Sequence, residues 1–322
     1  MKSLPGEFTA CAFRQRSTLI VRRQYRLRPP LVQWPCVSPQ PKTDKFGIVQ
    51  RLGVFVLIAI AGLAFFPTII AFILGPGGIL VTSALGTFAA AAVANVIPIR
   101  IYERGRLSDI GLGWTADSRR NLALGMLGGI GAALCVLILP ILTRSAELEP
   151  DPATQTHWSS LIFVTVVLLF GAIGEEMLFR GYGFQVLANA IGPFATILPV
   201  SVLFGVAHMN NRNVTTLAVV NTVLWGVLLG YAFFRSGDLW LPIGLHFGWN
   251  WTLPLLGTNV SGFTMSVTGY GLHWRVGDVW SGGAYGPEGG LLTTGVVVAV
   301  FFYLLRAPVR TQESFLVREK II

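Results

Sequence analysis

Three short polar stretches interrupt otherwise apolar runs of this 322-residue chain: Glu175-Glu176-Met177-Leu178-Phe179-Arg180, Phe204-Gly205-Val206-Ala207-His208 and His246-Phe247-Gly248-Trp249-Asn250. Carboxylates, imidazoles and a carboxamide are the groups that take protons, orient water and hold a developing oxyanion. An ionisable group at the centre of a bilayer costs about 3 kcal/mol or more, so a cluster of them points to a functional site.

Helical spacing divides their roles. Residues three or four apart share a helix face, whereas successive residues point about 100° apart. Glu176 and Arg180 stand at i and i+4 and form an internal ion pair, while Glu175 points elsewhere. A carboxylate facing a cavity beside a second carboxylate suits a general base. A purely structural clamp accounts for Glu176 and Arg180 but leaves Glu175 unexplained. His246 and Asn250, again at i and i+4, project two donors suited to an oxyanion; the competing reading is interhelical glue. His208 alone reads as readily as a packing residue and gains weight only beside the other two motifs. His157 and His273 fall in loops and read as solvated.

Helices within lipid must carry these side chains. With 53% hydrophobic residues, 12% charged residues and a mean hydropathy of +0.63, the composition is that of a polytopic membrane protein. Apolar runs able to cross a bilayer, about 20 residues each, fall at 48–74, 79–99, 121–143, 159–188, 194–208, 214–234, 239–257 and 291–305. They predict an all-α bundle of about eight transmembrane helices, the fifth and eighth short. Gly75-Pro76-Gly77-Gly78 and Ala190-Ile191-Gly192-Pro193 read as tight connections. The chain divides into a basic tail (1–46), amino-terminal helices (47–155), a core bearing the three motifs (156–257), and a loop, last helix and tail (258–322). Within 258–322, the Gly-rich stretch 258–290 with Trp274, Trp280 and Tyr285 reads as a flexible loop in preference to an interfacial aromatic belt or a gate on entry. Gly125 and Gly129 permit close helix packing, within the chain or between copies.

A net charge of +9 raises nucleic acid as a partner, but the basic residues sit at the ends of apolar runs rather than on one aromatic-bearing face. They set topology instead. With eight spans, Lys and Arg concentrate on the side of both termini, against only Arg144, Arg212 and Arg275 opposite. Both ends are therefore expected in the cytoplasm, in the cell membrane. Cys11, Cys36 and Cys135 share no metal-ligand spacing. Counting along the spans puts His246 roughly 10 Å from the cytoplasmic side and His208 near the far side. That conflict requires Pro193 or Pro199 to delay or break the fifth helix, or residues 209–213 to dip back into the bundle.

The set Glu-Glu-x-x-x-Arg, Phe-x-x-x-His and His-x-x-x-Asn, in this order on separate helices, resembles the CPBP family of intramembrane proteases. That family groups type II CAAX prenyl endopeptidases with bacteriocin-processing and Abi-type proteins. The resemblance spans about 156–257 and includes Gly230-Tyr231-Ala232-Phe233-Phe234-Arg235-Ser236-Gly237. It implies that Glu175 and His208 activate a water, that His246 and Asn250 stabilise the oxyanion, and that Glu176 and Arg180, with Phe204, support the site. The implied substrate is a membrane-associated peptide or protein.

Glu175, His208 and His246 also match a common ligand set of catalytic zinc. The chain has no His-Glu-x-x-His helix, and Asn250 on the face of His246 is a better oxyanion donor than metal ligand. The sequence thus favours a cofactor-free reaction, with zinc as the alternative. A proton-coupled transporter finds no internal repeat in support. A non-catalytic scaffold or immunity-type protein has no need of all four polar groups.

Overall fold

The computed structural model describes residues 45–74, 78–151, 156–265, 267–312 and 314. The basic tail expected over 1–46 lies outside them, except that Lys45 and Phe46 already open the first helix. All eight apolar runs become helical. The helices are α1 (Lys45–Leu74), α2 (Ile79–Pro98), α3 (Ala116–Leu142), α4 (Trp158–Arg180), α5 (Tyr182–Ile191), α6 (Pro193–Ala207), α7 (Thr216–Ser236) and α8 (Trp240–Thr252). A short α9 (Asp278–Ser281) precedes α10 (Leu291–Arg306).

The protein is an all-α membrane bundle, but helix length does not give eight full crossings. Among the described residues five helical segments are long and apolar enough to cross a membrane: Lys45–Leu74, Ile79–Glu103, Ala116–Leu142, Trp158–Ile191 and Thr216–Ser236. Pro193–Ala207 and Leu291–Arg306 are shorter, and α8 has only 13 residues. Pro193 occupies the first turn of α6, where its missing N–H costs nothing. Pro199 lies inside α6 without ending it. The helix is simply short, and it stops at His208.

The loops at 144–158 and 258–290 are more regular than their composition suggested. Strands β1 (Ala146–Pro150) and β2 (Tyr270–Trp274) pair antiparallel, from Ala146 opposite Trp274 to Pro150 opposite Tyr270. The Gly-rich segment continues through α9 and two 3-10 turns, Gly283–Tyr285 and Pro287–Gly289. Val260, Met265, Leu272 and Tyr285 are buried. The flexible-loop reading of this segment is therefore corrected: burying large apolar groups fixes its path.

Packing against α3 positions α8. A Cβ on Gly125 or Gly129 would collide with the carbonyl oxygen of Leu241 or Leu245, and one on Gly244 or Gly248 with that of Leu122 or Met126. The two Gly-x-x-x-Gly faces thus interlock backbone to backbone, within the chain. At the end of α7, Asp238 accepts from Asn121 Nδ2 at 2.9 Å and caps α8 by accepting from the Leu241 N–H at 3.2 Å.

Gly244→Leu should lower the thermal unfolding midpoint in detergent by the equivalent of about 2–3 kcal/mol. Gly131→Leu, where a Cβ meets nothing within 4 Å, should leave the midpoint in place.

Candidate active site

Glu175, Glu176 and Arg180 occupy the last turns of α4. Glu176 is fully buried and Arg180 is 1% exposed. Arg180 Nη1 lies 3.3 Å from Glu176 Oε1, the pairing expected from their i, i+4 spacing. Arg180 Nη2 donates to the Gly226 carbonyl on α7 at 3.0 Å, and its guanidinium carbon stands 4.8 Å from the Phe204 ring centroid on α6. Glu176 Oε1 also bonds His246 Nδ1 at 2.9 Å. One carboxylate oxygen therefore joins α4 to α8, while the arginine it neutralises reaches α6 and α7.

The helix is interrupted immediately after Arg180, at Gly181. Asn95 on α2 satisfies the break: its Nδ2 donates to Met177 O at 2.9 Å and its Oδ1 accepts the Tyr182 N–H at 2.7 Å. Gln185 Nε2 adds donations to Arg180 O at 3.1 Å and Ile110 O at 2.9 Å. Unpaired peptide groups in hydrocarbon cost several kcal/mol, so irregular backbone persists there only where protein groups satisfy it. The sequence reading missed Asn95. A lone carboxamide inside an apolar run was its signal.

Glu175 points away from the ion pair, as its helical position requires. Its Oε2 lies 3.8 Å from His208 Nε2 and 3.8 Å from His246 Nε2. Its side chain is 29% exposed. Equal distances bring both histidines to one depth, because α6 ends at His208 instead of running on. His208 Nδ1 lies 2.8 Å from the Phe204 carbonyl. A carbonyl only accepts, so Nδ1 carries the proton and Nε2 of the neutral ring offers a lone pair to Glu175's side. His246 likewise turns Nδ1 to Glu176. An Nε2–H on His246 therefore exists only in the imidazolium form.

Glu175, His208, His246, Asn250 and Phe204 line one cavity of about 330 Å³. Asn211 lines it too, so the turn after His208 does dip back to the site. Trp225, Trp249, Ser261 and Glu288 complete walls that were not assigned from sequence. Leu63, Ser83 and Thr87 carry the lining onto α1 and α2. His157 and His273 are exposed and take no part.

Glu175 Oε2 and the two Nε2 atoms are the donors a zinc ion would take. Zinc bonds of about 2.0–2.2 Å place neighbouring donors about 3.3–3.5 Å apart in a tetrahedron, less than the 3.8 Å seen to either histidine. Among the described residues no group of three or more His, Cys, Asp or Glu side chains is placed to hold a metal ion. As placed, these three groups stand slightly farther apart than a bound zinc would hold them.

Residues 157–252 match the family described as type II CAAX prenyl endopeptidase Rce1-like. The match covers a segment that runs from the start of α4 to the end of α8, and it is a similarity of that segment to the family. The matched segment contains all three polar motifs and every residue that meets at Glu175 and Glu176. Similarity to a protease family, together with helices long and apolar enough to cross a membrane among the described residues, supports an integral membrane protease. No curated protein matches the chain significantly.

Glu176→Leu should destabilise the detergent-solubilised protein by about 3–5 kcal/mol, because it strands Arg180 without its buried partner. Glu176→Leu combined with Arg180→Met should recover much of that loss in thermal or denaturant unfolding.

Proposed function

We propose that this protease core hydrolyses a peptide bond of a membrane-associated peptide or protein by direct attack of water, with Glu175 as the base. The convergence of two imidazole Nε2 atoms on Glu175 Oε2 in one cavity carries this reading. A water beside them donates one proton toward Glu175 and the other toward the His208 Nε2 lone pair. As Glu175 takes its proton, the hydroxide oxygen bonds to the peptide carbonyl carbon. Asn250 Nδ2–H and the Nε2–H of a protonated His246 then hold the oxyanion. With His246 charged, two carboxylates balance one imidazolium and one guanidinium, so the buried cluster is neutral overall. The proton on Glu175 passes to the amide nitrogen as the carbon–nitrogen bond breaks, which returns the carboxylate for the next cycle.

Glu176 and Arg180 take no proton in this scheme. They hold His246 with its Nε2 facing the cavity. Phe204 supports His208 through its carbonyl and Arg180 through its ring. The mechanism requires no metal. The distribution of Lys and Arg supports placing both termini on the cytoplasmic side of the cell membrane.

Cleavage of membrane-tethered fluorogenic peptides tests this. Glu175→Gln should lower kcat/KM by about 10³-fold or more, and Asn250→Ala should cost about 10²–10³-fold in kcat with folding intact. A strong zinc chelator should leave wild-type cleavage unchanged. Loss on chelation, restored by zinc, would move both histidines into a metal shell and overturn the mechanism.

A further inference from the structure

Glu288 is a carboxylate that this hydrolysis does not use. It lies in the Pro287–Gly289 turn, is 9% exposed, and lines the same cavity as Glu175. Its Oε1 accepts from Trp249 Nε1 at 3.0 Å, and its Oε2 accepts from the Ser261 hydroxyl at 3.1 Å and from the Ser261 N–H. All three donors are neutral. Among the described residues no ion pair reaches Glu288, so a buried anion stands in the cavity wall without a countercharge.

The turn holds it there. Asn221 Nδ2 donates to the carbonyls of Glu288 at 2.8 Å and Gly290 at 3.0 Å, and the Thr293 hydroxyl donates to Pro287 O at 2.6 Å. The field of the carboxylate reaches Tyr285, whose hydroxyl is pushed up to about 12, first by burial and next by Glu288. Beside the carboxylate, the rings of Trp225 and Trp249 line the cavity with centroids 4.9 Å apart. Indole faces carry negative potential and attract cations, most strongly where water is excluded. An uncompensated carboxylate next to two indoles is cation-recognising chemistry.

We propose that Glu288, Trp225 and Trp249 form a specificity subsite for a cationic side chain, lysine or arginine, of the peptide substrate. Trp249 and Asn250 line the same cavity, which puts the subsite in the space that holds the reacting carbonyl. The identity of the ligand as a substrate residue rests on the proteolytic reading above. A clamp that merely fixes Trp249 would discriminate nothing by charge.

Binding of fluorophore-labelled, amino-terminally acetylated lipopeptides, measured by anisotropy on full-length protein carrying Glu175→Ala, tests the subsite without turnover. A single lysine, or an isosteric norleucine, is moved through each peptide position. At one position or two adjacent ones, lysine should bind about tenfold more tightly than norleucine. Glu288→Gln should abolish that advantage and Trp225→Leu should reduce it, with norleucine binding little changed. Equal binding of lysine and norleucine everywhere, or an advantage that survives both substitutions, overturns the proposal. A lysine advantage that depends on Glu288, in a protein whose wild type cleaves none of these peptides, keeps the subsite and removes the proteolytic reading alone.

Discussion

Everything in the site hangs on one fully buried oxygen, Glu176 Oε1, which meets both Arg180 and His246. Removing a carboxylate and a guanidinium from water is costly, and their mutual attraction offsets that cost only when each is hydrogen-bonded in a fixed geometry. Fixed geometry is also what the chemistry needs. The carboxylate turns His246 so that Nε2 faces Glu175, and the arginine it neutralises is pinned to a carbonyl of α7 and a ring of α6. Four helices are registered at one point.

Two discontinuities let those helices meet there. The break between α4 and α5 after Arg180 is satisfied by Asn95 and Gln185, and α6 stops at His208 instead of crossing fully. The first would be prohibitive against lipid and is tolerated because Asn95 and Gln185 satisfy it. The interlocked glycines of α3 and α8 supply the remaining constraint. Direct backbone contact leaves α8 little freedom to slide, so His246 and Asn250 keep their depth opposite Glu175.

The cavity has a second polar wall, built from chain distant in sequence. Residues 259–263 and 284–290 bring Ser261 and Glu288 against α7 and α8. Both the Glu175 cluster and this wall face one cavity, where a dielectric below that of water strengthens polar contacts. A peptide placed for attack would therefore lie beside Glu288 as well.

The sequence by itself determined the solvent, the helical class and the three motifs, because hydropathy and i, i+4 spacing are local properties. The separation of Glu175 from the Glu176–Arg180 pair was readable for the same reason. Depth was not: counting residues left His208 and His246 on opposite sides, since no local signal says that α6 ends early or that Asn95 stands ready to satisfy a broken α4. Nor could spacing show that Glu176 serves His246, 70 positions away, or that 146–150 pairs with 270–274. Glu288 stood in a Gly-rich stretch read as flexible. Only the tertiary structure put it in the cavity wall, because the burial and hydrogen bonds that hold it come from side chains dozens of residues distant.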